Sequence, residues 1–268
     1  FLPETRVVVH RRVDNSPKKS YFTRRKYFNS RVSRYTGISH FIRDVLIEYG
    51  IAPEKISVAR SAVSMEAYNN LNRLESQKNW KEKLSLPPEV VLIGNASAFS
   101  PQKGYETLIR GAAELRKSFS HFAVLIAGDG VLREKLIKLS HDLAVDDKVH
   151  FVGFLKDVPE FLSALDILAV PSNNEGLGTV ILDGILAGCA VVASRVGGIP
   201  EVIHHNETGL LQEVGDYQKL AENLKDLAIH PERREALKNQ AQILVKNEFS
   251  LQSMIDGNYK IYLEVVGD

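Results

Sequence analysis

From residue 88 onward the chain alternates two kinds of apolar segment. Residues 90–93, 122–126, 149–152, 167–170 and 190–193 are short, nearly continuous apolar runs. Strands covered on both faces read this way, because neither side of the strand meets water. Between them, residues 105–118, 131–143, 158–165 and 179–187 carry apolar side chains at helical spacing. The alternation predicts an α/β fold: a doubly wound parallel sheet with right-handed crossovers. Leu210 and Leu211 read as a sixth, short strand, followed by helices over 216–229, 231–247 and 250–265.

The first 64 residues have a different pattern: a strand at 6–9, a basic stretch, a strand at 35–38, a helix at 39–49 and a strand at 56–59. Three short strands and about two helices are too few to cover both faces of a parallel sheet. Residues 1–64 are therefore expected to be the back end of a second α/β domain, and Phe1 in place of Met is read as an internal start. Residues 65–87, rich in Asn, Lys and Glu, form a connector with a lead-in helix that stops at Pro87-Pro88. Residues 88–268 form the larger domain.

Composition narrows the class. Of 268 residues, 44% are apolar and 25% charged, as in ordinary globular proteins and unlike disordered or collagenous chains. The lone cysteine, Cys189, leaves no intrachain disulfide to form, which points to a reducing cytoplasm. No apolar run approaches the length of a membrane span. The formal net charge of +1 hides an asymmetry: residues 1–35 hold ten Lys/Arg against Glu4 and Asp14, a local +8, and the rest of the chain carries −7. Within the basic end, residues 18–34 interleave cations with Tyr21, Phe22, Tyr27 and Phe28, a composition that suits an anionic membrane surface. Nucleic acid is not the expected partner. The plainer reading of this segment is a solvated helix with its aromatics packed inward.

In an open parallel sheet, ligands collect beyond the carboxyl ends of the strands. The loop 100–104, Ser-Pro-Gln-Lys-Gly, offers Lys103 and a helix start to an anion. Gly128-Asp129-Gly130 permits close backbone approach. The most telling segment runs from Pro171 to Gly188: a strand ends at Val170, a glycine-containing turn follows, and a helix opens near Gly178-Thr179 with free N–H groups suited to a diphosphate. Glu175 stands before that helix and Asp183 within it, two carboxylates able to accept paired sugar hydroxyls. Asp183 lies among Val180, Ile181, Leu182, Ile185 and Leu186, a setting in which a carboxylate needs a partner. Arg195 to Glu201 repeats the pattern of a glycine pair leading into a helix.

The order of these motifs resembles the retaining glycosyltransferases of family 4, which have the GT-B fold of two facing Rossmann-like domains. The likeness rests on Ser-Pro-Gln-Lys-Gly at 100–104, Ala-Gly-Asp-Gly at 127–130, Phe-Val-Gly-Phe at 151–154, Pro-Ser-Asn-Asn-Glu-Gly-Leu-Gly at 171–178 and Val-Gly-Gly-Ile-Pro-Glu at 196–201. The N-terminal remnant adds Val7-Val8-Val9-His10, the Ile38-Ser39-His40-Phe41 step and a hinge at 58–63. The resemblance implies a nucleotide-diphosphate sugar as donor and a glycan or lipid-linked hydroxyl as acceptor. It implies that Lys103 meets the diphosphate, that the backbone near Phe154 meets the base, that Gly128 is among the donor-binding residues, and that Glu175 meets donor-sugar hydroxyls. Leu177, Gly178 and Thr179 would offer N–H groups, and His10 would lie near the donor sugar, making His10, Lys103 and Glu175 the candidate catalytic residues.

Two positions depart from the family pattern. Asp183 stands where the family has a second Glu that holds the ribose, and Ala98 stands where it often has an Arg paired with the lysine on the diphosphate. No Asp-x-Asp metal motif is visible, so neither an essential metal nor a further cofactor is expected. Two rival readings remain at this point, a GT-B nucleotide-sugar epimerase or phosphorylase, and a non-catalytic module that grips anionic surfaces. A dinucleotide-binding domain is disfavoured, because Gly94-Asn95-Ala96-Ser97 replaces the glycine fingerprint after the first strand. The chain by itself is expected to bind nucleotide and to transfer sugar poorly.

Overall fold

The computed structural model describes residues 5–267. Two parallel sheets organise the chain. The smaller contains β1 (Val7–Arg11), β2 (Val32–Gly37) and β3 (Ile56–Val58) in that order. Its helices are α1 (Tyr21–Tyr27) and α2 (His40–Glu48). Val32, Tyr35, Leu46, Tyr49, Ile51 and Ile56 form a separate small core beneath it. Ser20 caps α1 and Ser39 caps α2, each side-chain oxygen accepting from the N–H three residues on.

A connector follows, comprising a single 3-10 turn at Glu66–Tyr68 and then α3 (Arg73–Lys83). Arg73 locks α3 to the second domain by donating to Leu165 O at 2.6 Å and Ser163 O at 3.1 Å. Trp80 is buried there, its indole N–H on Glu160 at 3.1 Å.

The larger sheet is built from β4 (Val91–Ala96), α4 (Tyr105–Arg116), β5 (Phe122–Ala127), α5 (Arg133–Asp142), β6 (Val149–Gly153), α6 (Val158–Ala164), β7 (Ile167–Val170), α7 (Thr179–Ala187), β8 (Ala190–Ser194) and β9 (Leu210–Gln212). Strand order is β6-β5-β4-β7-β8-β9, all parallel. Two apolar cores lie on its faces, one including Leu92, Leu125, Leu168 and Val191, the other Ile93, Val124, Ile167 and Val192. Successive residues of each strand thus enter opposite cores, which is why the strands read as unbroken apolar runs. Helices α8 (Tyr217–Ile229), α9 (Pro231–Glu248) and α10 (Leu251–Gly267) close the chain. The last returns to the small sheet, where Glu264 pairs with Arg34 at 3.7 Å and Gly257 lies over Ala59.

The basic segment 18–34 is not one surface. Tyr27 packs inward against Tyr35 and Tyr49, whereas Tyr21 and Phe22 are 70% and 81% exposed beside Arg24, Arg25 and Lys26. From Val32, which is buried, the chain has already entered β2.

Candidate functional site

The loops after β4 and β7 are hydrogen-bonded to one another. Asn173 N–H donates to Gln102 O and its side-chain amide to Pro101 O, both at 2.7 Å. Between them Gly104 turns at φ +64°, and a Cβ there would sit 1.8 Å from Pro171 O. Only glycine permits both the left-handed turn and that approach. The result sets Lys103 beside Glu175, Nζ lying 2.8 Å from Oε2 and 3.2 Å from Oε1. Ser172 Oγ donates to the same Oε2 at 3.2 Å. The pair is mostly shielded, with side-chain exposures of 25% for Lys103 and 13% for Glu175. An ammonium has three donors, so Nζ can hold Glu175 and still offer an N–H to an anion.

The pair stands at the N-terminus of α7. Its first intrahelical-type bond runs from Ile181 N–H to Gly178 O at 2.8 Å, and the N–H groups before it have no acceptor within the helix. Thr179 is exposed there, while Leu177 and Gly178 are buried. The glycine pair of the 195–201 loop closes over the other side. Gly198 N–H donates to Glu175 O at 3.1 Å, and a Cβ on Gly197 would fall 1.8 Å from that same oxygen. Arg195 turns to Glu213, 3.4 Å away.

Beside this corner is an apolar slot of about 270 Å³ between the ends of β4, β5 and β6, bordered by Ala98, Gly128, Phe154, Leu155 and Val158. Phe154 is 80% exposed at its mouth. An exposed aromatic face over a slot of small residues suits a flat, weakly polar ring.

Asp183 has the partner its surroundings demand. Tyr68 Oη donates to its Oδ1 at 2.7 Å, joining the connector to α7. Burial pushes the Asp183 carboxyl above its ordinary value, and the Tyr68 bond pulls the other way without cancelling it. The tyrosine hydroxyl is also pushed well up, by burial first and then by the carboxylate it serves.

The small domain reaches the same corner through α2. Ser39, fully buried, donates to Gly176 O at 2.7 Å, next to Glu175. Glu201 accepts from His40 N–H at 3.0 Å and Phe41 N–H at 2.9 Å, so a carboxylate of the large domain caps a helix of the small one. His10, by contrast, meets α10 rather than the Lys103–Glu175 pair: its Nε2 is 2.9 Å from Tyr262 Oη. Among the described residues no group of three or more His, Cys, Asp or Glu side chains is gathered as a metal site requires.

The structure therefore brings Lys103, Glu175 and the start of α7 together, with Gly128 and Phe154 in the adjoining slot. Tyr68 escaped sequence reading because the connector looked merely polar. Ser39 and Glu201 were visible only as parts of motifs, and their contact spans 160 residues or more from Glu201 to Phe41 and His40.

A family model described as "Glycosyl transferases group 1" matches residues 76–243. The chain is 30% identical over 176 residues to the lipopolysaccharide core biosynthesis glycosyltransferase LpsE of Rhizobium meliloti (strain 1021), covering 66% of this chain and 51% of that protein. It is 33% identical over 174 residues to a GDP-mannose-dependent α-(1-6)-phosphatidylinositol monomannoside mannosyltransferase of Mycobacterium tuberculosis, covering 62% and 44%. The crystal structure of Anabaena Alr3699/HepE in complex with UDP superposes with a TM-score of 0.86 at 22% identity, covering 98% of this chain and 72% of that one. The chain spans about half the length of the curated relatives it matches.

Proposed function

The chain belongs to the group 1 glycosyl transferases, and from that premise we propose that it transfers a glycosyl group from a nucleotide-diphosphate sugar to an acceptor hydroxyl. We read it as a family 4 enzyme acting with retention, in the synthesis of a cell-surface polysaccharide or lipid-linked glycan. The observation that carries this reading is the shielded Lys103–Glu175 pair at the N-terminus of α7, beside an apolar slot. The slot takes the base and Asp183 the ribose hydroxyls. Lys103 and the first N–H groups of α7 take the diphosphate, while Glu175 accepts from hydroxyls of the donor sugar.

In the reaction the bond from the anomeric carbon to the diphosphate oxygen breaks, and the acceptor oxygen bonds to the same face of that carbon. The acceptor proton leaves with the diphosphate. Negative charge grows on the departing oxygen, where Lys103 and the helix end stabilise it more in the transition state than in the ground state. His10 is read as the histidine near the donor sugar, its Nε2 2.9 Å from Tyr262 Oη.

The exposed Tyr21 and Phe22 with Arg24, Arg25 and Lys26 support peripheral docking on an anionic, cytoplasmic membrane face, where lipid-linked acceptors reside. Among the described residues no helix is long and apolar enough to cross a membrane.

Calorimetry with UDP, GDP and ADP tests the donor site. Binding of at least one, tighter than inorganic pyrophosphate, is expected. Failure of all three to bind would return the large domain to a scaffold and the function to a surface-gripping module.

A further inference from the structure

The connector between the two sheets carries a residue that touches the proposed ribose site. Tyr68 ends the 3-10 turn at Glu66–Tyr68 and packs, half-buried, against the core that also holds Val63, Val180 and Leu186. Its ring is therefore held by apolar contacts and its hydroxyl has one place to go, Asp183 Oδ1 at 2.7 Å. Among the described residues no other group is hydrogen-bonded to the Asp183 carboxylate, so Oδ2 keeps its full acceptor capacity.

A carboxylate swings about its own side-chain torsions unless something holds it, and a single fixed oxygen determines where the other points. We propose that Tyr68 is a positioning residue that pins one oxygen of Asp183 so that the other is presented to the ribose hydroxyls of the nucleotide. The inference rests on the reading of Asp183 as the ribose acceptor and goes beyond it, because it places a determinant of nucleotide recognition outside the large domain's motifs. An aspartate reaches one methylene less far than a glutamate; with a pinned oxygen, orientation compensates for length. The same hydrogen bond ties the connector to α7, so the segment that joins the two sheets is anchored at the donor site itself.

The two side chains are suited to conservative tests. Because burial disfavours the charge on Asp183, the amide of Asp183→Asn fits the same place and still accepts from Tyr68. Tyr68→Phe removes only the hydroxyl and keeps the ring in its packing.

Calorimetry on the whole chain would compare UDP, GDP and ADP with their 2′,3′-dideoxy counterparts and with inorganic pyrophosphate. The parent should prefer the ribonucleotide, and Asp183→Asn should abolish most of that preference. Tyr68→Phe should cut the ribo-to-dideoxy ratio by about threefold to tenfold, the scale of one ordinary hydrogen bond, because the hydroxyl acts on the ribose only through Asp183. It should leave pyrophosphate affinity within about twofold, while thermal unfolding falls modestly because the buried Asp183 carboxyl loses its hydrogen-bond partner. A parental ratio in Tyr68→Phe alongside a collapsed ratio in Asp183→Asn would overturn the role of Tyr68 and leave the ribose reading intact. An unaltered ratio in Asp183→Asn, or no binding of any of the three nucleotides, would overturn the ribose reading and this inference with it. Equal losses for nucleotide and pyrophosphate in Tyr68→Phe would show a general structural role and also overturn it.

Discussion

Replacing Lys103 by Ala perturbs the anion corner at its centre, and the structure sets the magnitude. Lys103 is three-quarters covered and Glu175 more so, which removes the pair from the class of surface bridges worth roughly 0–1 kcal/mol. Unit charges 4 Å apart near a protein surface interact by about 4 kcal/mol, an upper bound for what an incoming phosphate oxygen could gain from Nζ. Because Nζ remains shared with Glu175, a loss of about 1–3 kcal/mol in nucleoside diphosphate binding is expected, or roughly 5- to 150-fold in Kd. Glu175→Gln should do the opposite to the diphosphate: with its counter-charge gone, Lys103 serves the anion alone, and nucleoside diphosphate affinity should hold or rise. Sugar transfer should still fall, because an amide oxygen accepts less strongly than a carboxylate from donor hydroxyls. The double variant should recover part of the Lys103→Ala loss, since the unpaired Glu175 carboxylate that repels the diphosphate is then absent. Calorimetry across this cycle reads the coupling directly. A Lys103→Ala affinity within about twofold of the parent, or a Glu175→Gln loss equal to that of Lys103→Ala, would remove the pair from the donor site.

Gly104→Ala should cost about 2 kcal/mol or more of stability and separate the two loops, because its Cβ would lie 1.8 Å from Pro171 O at φ +64°; chemical unfolding together with nucleotide titration checks both effects. Glu201→Gln should weaken the cap on α2 by about 1 kcal/mol and raise hydrogen exchange in α2 while β4 to β8 stay protected. Binding to vesicles containing anionic lipid should fall as salt rises from about 0.1 to 0.5 M, and Phe22→Ser should weaken it further; binding that ignores salt would return α1 to an ordinary solvated helix.

Much of this fold is legible in the chain because its physics is local. Each strand of the large sheet feeds two cores, so residues such as Leu92 and Ile93 are both fully buried and the run shows no polar break. The first strands of the small sheet are harder to bound. β2 begins at Val32, three residues before the apolar pattern signals it, because Ser33 and Arg34 interrupt the run while the backbone already pairs with β1. Helix α1 has no apolar stripe at all: Tyr27 turns inward and Tyr21 and Phe22 outward, and Ser20 rather than periodicity fixes its start. In the site, each loop announces its own chemistry, but not its neighbour. Lys103 and Glu175 are 72 residues apart, and nothing in their spacing states that they touch. Tyr68 and Asp183, 115 apart, are further removed still, and an aromatic in a polar connector gives no signal until the partner is seen.

Sheet order supplies what spacing withholds. Going outward from β4, the chain adds β5 and then β6 on one side, and β7, β8 and β9 on the other. The direction of winding reverses between β4 and β7, which pair through Ile93–Ile167 and Gly94–Leu168. At such a reversal the crossover connections pass to opposite faces of the sheet and leave a ligand site at the carboxyl ends of the strands. The loops that leave β4 and β7 are those carrying Lys103 and Glu175, so topology brings the cation and the carboxylate to one place, where Nζ lies 2.8 Å from Oε2. The remaining parts follow from position. The loops after β4, β5 and β6 form the apolar slot, whereas α7 and the 195–201 loop lie on the side of β7 and present N–H groups and carboxylates. The proposed donor, with a flat ring at one end and a diphosphate followed by sugar hydroxyls at the other, matches that sequence of surfaces. On the proposed reading, the base goes toward β6, the diphosphate over the β4–β7 boundary and the sugar to Glu175, which the small domain approaches through the Ser39 and Glu201 contacts.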